Sequence, residues 1–298
     1  AKAFAGCSAL ESINLTTGLK TIGEMAFADC TSLKSINLPS TLTSLSGNPF
    51  SGCSGVTSFT VDSGNKSFTY KNGALFDKTG FTLIYYSAAN TADTYILPDS
   101  VHQILSGAFA GSQLKTFEIP ATSNITEIPA DAFRNSKLLT SVVIPATIKK
   151  IGDNAFNGCV SLKSVHIPES VTALAYTFER CTSLTEVTLP ETLLKIGDRT
   201  FMGCDSLAGL YVPDSVEEIG ERVFPYGEFS DFALSIGRGV KRIGREALYN
   251  NYAVIYRGTS EEWRQIELHE NWNGGEGFEG KDGTFCIDII CADGTIVG

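Results

Sequence analysis

Phenylalanine recurs along this chain on an almost fixed beat. Phe4, Phe27 and Phe50 stand 23 residues apart, as do Phe133 and Phe156, and Phe178, Phe201 and Phe224 follow at steps of 22, 23 and 23. Pro145, Pro168, Pro190 and Pro213 keep the same time. A period of this length with hydrophobic positions locked to it specifies a solenoid, because one coil cannot bury its apolar face alone but can bury it on its neighbours. The expected core is therefore linear, and added length means added coils rather than added domains.

One coil shows how the phrase works. In Ile151–Pro168, IGDNAFNGCVSLKSVHIP, the run Val165-His166-Ile167 alternates inward, outward, inward, as a short strand does. Pro168 stops it, having no N–H for a ladder. Ala155, Phe156 and Cys159 fall at helical spacing behind Asp153, as their counterparts do behind Glu24, Asp198 and Glu221, which predicts one helical or 3₁₀ turn on the back of each coil. After the strand come Thr41, Ser100, Thr147, Ser170, Thr192 and Ser215, whose hydroxyls are expected to bond to the turn backbone of their own or the next coil.

The consensus LxxIxIPxxVxxIGxxAFxxC, in about nine or ten copies over roughly residues 1 to 250, resembles the BspA-like leucine-rich repeat of bacterial surface and secreted proteins. That resemblance implies a leucine-rich repeat solenoid, α/β or mainly β, with a parallel concave sheet and short convex turns. It also implies an extracellular or cell-surface location, and adhesion-like binding of a protein or glycan partner such as a host or matrix component. It implies no catalytic residues.

Composition narrows the function further. Hydrophobic content of 43% with 19% charged residues excludes wholesale disorder. A net charge of −10 argues against nucleic acid and against an anionic membrane surface, both of which recruit basic clusters. No apolar run reaches the roughly 20 residues of a membrane span, so no membrane insertion is expected. Six of the eight cysteines (Cys7, Cys30, Cys53, Cys159, Cys181 and Cys204) share one repeat position, which suits reduced core residues better than a disulfide framework.

The rhythm breaks once. Between Asp62 and Thr94 the chain lacks the Ala-Phe turn and carries Asn72-Gly73, a hairpin signal, then a second turn at Asp77–Gly80 before Phe81–Tyr86. A small β-meander, residues 62–94, is expected within a solenoid of residues 1–252, with a ligand-contacting flap as the functional alternative. Phe224 to Gly237 is an irregular coil. Residues 253–298 read as a C-terminal cap: Thr259-Ser260-Glu261-Glu262 forms a capping box for a short helix with Trp263 and Ile266 on one face, a glycine-rich loop spans Asn273–Gly280, and a hairpin joins Thr284–Ile290 to Thr295–Val297.

Signatures of chemistry are scarce. There is no GxSxG, HExxH or Walker loop, the histidines His102, His166 and His269 are scattered, and Cys286 and Cys291 face opposite sides of any one strand, so no catalytic residue, metal site or cofactor is expected. The triplets at Asn14, Asn65 and Asn124 fit the glycosylation pattern and receive no role. What remains is the outward column of the concave strands: Asn14, Asn37, Thr60, Ile96, Glu118, Val143, His166, Thr188 and Tyr211. Beside it lies Glu186. Within these, Glu118, His166, Glu186, Thr188 and Tyr211 are the candidate binding residues, with Tyr211 first because tyrosine anchors interfaces. A non-enzymatic binding module is the leading expectation, and a structural spacer or self-assembly element the alternative.

Overall fold

In the computed structural model, which describes residues 1–224, 232–249, 253–273 and 287–297, successive copies of the phrase lie side by side as a parallel β-solenoid. Val165 pairs with Val187 and His166 with Thr188, and the same in-register pairing joins Phe117 to Tyr95 on one side and Val142 on the other. Each coil lays down a longer strand, such as Ser164–His166, then a turn closed by the Val171 N–H on the Pro168 carbonyl, then a two-residue strand, Ala173–Leu174. The longer strands form the main sheet and the shorter ones a second sheet. The inward residues Val165, Ile167, Val171 and Leu174 are all buried.

On the third side of the coil the α-helical alternative gives way to tight turns closed by i→i−3 bonds, such as Asn157 N–H to Asn154 and Cys159 N–H to Phe156. The N–H groups of Phe133, Phe156, Phe178 and Phe201 donate to Ala155, Thr177, Thr200 and Val223 of the following coil, at 2.7–3.0 Å. An α-helix needs those donors for carbonyls four residues back. Taken by the neighbour, they leave a ridge of tight turns, each curled by two left-handed residues four apart: Asn154 and Gly158, Tyr176 and Arg180, Arg199 and Gly203. Among the described residues the only helix is Ser260–Trp263, which begins with the expected capping box of Thr259 and Glu262 and buries Trp263.

The periodic phenylalanines stack ring on ring. Centroids lie 5.3 Å apart for Phe133–Phe156, 5.5 Å for Phe156–Phe178 and 5.8 Å for Phe178–Phe201, with the ring planes nearly parallel. Beside them the cysteines are free thiols, and Cys159, Cys181 and Cys204 each donate S–H to the phenylalanine carbonyl one coil back, at 3.1–3.2 Å. Where the column has Ser136 instead, its hydroxyl makes the same bond to Phe109. Burial pushes Cys53 and Cys181 up to about 12. Cys7, in the first coil, is exposed, and Cys286 lies outside the described residues.

The hydroxyls after the proline reach backwards, not to their own or the next coil. Thr41 donates to Leu19 and Ser215 to Leu193, while Ser170 and Thr192 likewise bond carbonyls of the preceding coil. The Thr147 hydroxyl is buried without a hydrogen-bond partner, although the residue itself is only half-buried.

The meander forms as Phe68–Lys71, Ala74–Asp77 and Thr82–Tyr86, turning through left-handed Asn72 and Gly73, and its last strand pairs parallel with Gln103–Ile104. It is no flap. It stands as a partition through the core: Leu75, Ile84 and Tyr85 pack with the first three coils, whereas Ala74, Phe76, Leu83 and Tyr86 pack with the rest. A bulge between Leu75 and Phe76 makes this possible, because the extra residue lets Ile84 and Tyr85 both face the first cluster. Asn48 ties the ridge across the gap, donating to the Ser106 and Gly107 carbonyls and accepting from the Phe50 N–H.

Loss of the sequence period at Ala253 does not end the main sheet. Ala253–Tyr256 and Asp288–Cys291 continue it in parallel, and Ile296–Val297 closes it antiparallel. Residues 274–286, which include most of the expected glycine-rich loop and the first half of the expected hairpin strand, lie outside the described residues, as do residues 225–231 of the irregular coil.

Candidate functional site

Because a strand alternates its side chains, each longer strand offers one residue outward between two inward ones. In register, this gives a column of Asn37 and Thr60, then Ile96, Glu118 and Val143, then His166 and Thr188, then Tyr211, Ser235, Ile255 and Ile290. Ile296 sits across the closing strand from Ile290. A second outward column runs beside it through Ser164, Glu186, Gly209, Ala233, Ala253 and Asp288.

The structure sets His166 directly opposite Thr188, and Glu186 opposite Ser164. Glu118 is not part of that group, since Val143 stands between its strand and that of His166. Tyr211 belongs to a different cluster, which the sequence reading missed. The Arg257 guanidinium lies 3.9 Å above the Tyr211 ring, 2.9 Å from the Ser235 hydroxyl and 2.7 Å from both the Val212 carbonyl and Asp214. Partial burial pushes the Asp214 carboxyl up, but the bonds it receives from Arg257 and the Arg238 N–H outweigh that and hold it below the usual carboxylate range. Arg257, Ile255, Ile290 and Ile296 lie past the point where the repeat phrase fails. The sequence signals for them are the apolar run Ala253–Tyr256 and the expected hairpin through Ile290 and Ile296, and neither says that these residues join the main sheet or which face is covered.

Other polar groups are committed to one another. On the second sheet Lys195, Glu218 and Arg242 face one another in register, with ion pairs of 2.9 and 3.2 Å, and the Lys195 bond holds the Glu218 carboxyl low. On the ridge Arg134 reaches Asp29 at 2.8 Å over a shallow depression floored by Gly52 and Gly111. Gly52 takes a left-handed φ of 74° there, and a Cβ would come within 2.1 Å of the Asp29 carboxylate. Asn65 is buried with both ends of its amide bonded, to Pro39 and Leu42 on one side and Ser67 and Phe68 on the other. No group of three metal-ligating side chains occurs among the described residues, and no helix is long and apolar enough to cross a membrane.

With coil, stack and sheet in place, the class is defined: a leucine-rich repeat solenoid. The BspA type leucine rich repeat region matches residues 1–138, 85–175 and 126–255, and the chain belongs to that family. A search of curated proteins finds no match. Among solved structures, a leucine-rich repeat protein from Eubacterium ventriosum is similar at 20% identity over 75% of this chain and 78% of its own, with a TM-score of 0.56. A leucine rich cell surface protein from Faecalibacterium prausnitzii is similar at 21% identity and a TM-score of 0.61, covering 90% of this chain but only 65% of its own length. At these identities the likeness is one of fold. Solenoids of this kind generally serve as non-enzymatic scaffolds.

Proposed function

We propose that the chain is a non-enzymatic, extracellular or cell-surface binding module that presents the outward face of its main sheet to a protein or glycan partner. One observation carries the reading. Of the ten large hydrophobic side chains exposed among the described residues, six stand on that single face: Ile96, Val143, Tyr211, Ile255, Ile290 and Ile296. Ile296 is 61% exposed and Tyr211 52%. A face selected only for solvation would be polar, whereas apolar groups on a rigid, ladder-bonded surface bind with little ordering cost. Membership of the BspA type family and likeness to a leucine rich cell surface protein support the location. The test is an array of matrix proteins and glycans probed with the wild-type chain and with a variant carrying Val143→Ser and Tyr211→Ser. Binding that survives this change in a folded variant overturns the reading.

The second reading is self-association, in which the exposed isoleucines Ile255, Ile290 and Ile296 meet those of another copy. Light scattering over a concentration range distinguishes it, since a binding module stays monodisperse without its partner.

A further inference from the structure

The C-terminal part of the main sheet is shaped differently from the rest. Along the second outward column Gly209, Ala233 and Ala253 make a low floor, and along the first Tyr211, Ile255 and Ile290 make an apolar wall beside it. The floor is closed at each end by an exposed carboxylate, Glu186 on one side and Asp288 on the other. Neither carboxylate has an ion-pair partner among the described residues. The Arg257 guanidinium over Tyr211 is already matched by Asp214 at 2.7 Å. Gly209 also has a packing reason, since a Cβ there would meet the Ala233 carbonyl at 2.7 Å, so the inference rests on the wall and the two acids.

Resting on the binding role proposed above, we propose that this trough is the anchoring subsite and that it takes an extended polypeptide segment with two basic residues flanking aliphatic ones. Charge and length argue for that occupant. The strand of Glu186 and that of Asp288 are four strand spacings of about 4.8 Å apart, roughly 19 Å in all. An extended chain advances about 3.3 Å per residue, so lysines six positions apart span that distance. In such a segment residues i, i+2, i+4 and i+6 face the sheet together, which puts two aliphatic side chains between the lysines, one beside Tyr211 and one beside Ile255. A neutral glycan could stack on the tyrosine and hydrogen-bond the carboxylates, but it would leave both negative charges uncompensated, whereas two lysines pair with them.

The probe is the end-blocked peptide Lys-Ser-Leu-Ser-Leu-Ser-Lys, labelled with fluorescein, against the same peptide with glutamate in place of both lysines. The basic peptide is expected to bind the wild-type chain at least tenfold more tightly than the acidic one. Glu186→Gln with Asp288→Asn should abolish that preference, and Tyr211→Ser with Ile255→Ser should weaken the basic peptide at least tenfold, each checked by an unchanged melting curve. Equal binding of the two peptides, or wild-type binding by the carboxamide variant, overturns the trough. Array ligands lost on Asn37→Ala with Glu118→Ala but kept by the trough variants would uphold the wider reading and overturn this one. The basic peptide binding as expected while no array ligand is found would uphold the trough and the binding role with it, and place the natural partner outside the array.

Discussion

The regular coils from Ile125 to Phe224 and the inserted stretch from Asp62 to Thr94 solve the same problem in opposite ways. A regular coil buries one side of its strand and shows the other to solvent: Val165 is buried and His166 exposed. The insertion buries both sides, so that Ala74, Leu75 and Phe76 are all hidden. The regular coil hands its apolar surface from one neighbour to the next through a single phenylalanine. The insertion supplies two adjacent tyrosines instead, Tyr85 packing at a tilt on Phe50 and Tyr86 on Phe109. The difference shows that a solenoid tolerates a foreign segment when it presents an aromatic ring to each side. Continuity of the core matters more than continuity of the repeat.

The comparison breaks hardest at alkaline pH, where both regions depend on groups that burial keeps protonated. An unfolded thiol ionises above 9.0, while folded Cys53 and Cys181 hold their protons up to about 12, and Tyr86 shifts to about 12 from 10.0. Stability from these groups is therefore complete below pH 9 and declines as pH rises through the interval. Each buried thiol contributes about 1.4 kcal/mol of loss per pH unit there. Urea melts at pH 8 and pH 10.5 should differ by several kcal/mol, and equal midpoints would refute the linkage.

Next in size, Tyr85→Ala should cost about 3–5 kcal/mol, as much as Phe156→Ala in a regular coil. A loss under about 1 kcal/mol, read from denaturant midpoints, would mean that the insertion is not part of the core. Asn48→Ala should cost about 1–3 kcal/mol, because the buried Gly107 carbonyl, the Ser106 carbonyl and the Phe50 N–H lose their partner where the ridge crosses the insertion. The smallest effect is a gain. Arg180→Gly relieves a left-handed residue that the regular coils fill with glycine at Gly158 and Gly203, and should raise stability by about 1 kcal/mol. Thermal melts that fall instead would show that the arginine side chain matters to the ridge.

Much of this was legible in the residues. The 23-residue beat predicts the parallel stack, the strand-then-proline phrase predicts the turn after each strand, and Asn72-Gly73 predicts the hairpin. The helical turn was not legible, because Ala-Phe-x-x-Cys has helical spacing whether its N–H groups bond within the coil or to the next one. The candidate site was half legible: the column from Asn37 to Tyr211 follows from strand alternation, but Ile255 and Ile290 join it through pairings that no sequence period announces.

The sequence by itself determined the architecture, since identical phrases with identical apolar positions can bury those positions only on one another. Tertiary structure alone decided three things: the destination of the ridge N–H groups, the partition of the core by the meander, and the apolar wall at the end of the sheet. Each depends on which two distant stretches become neighbours, and hydrogen-bond donors and exposed faces acquire their roles only once a neighbour is present.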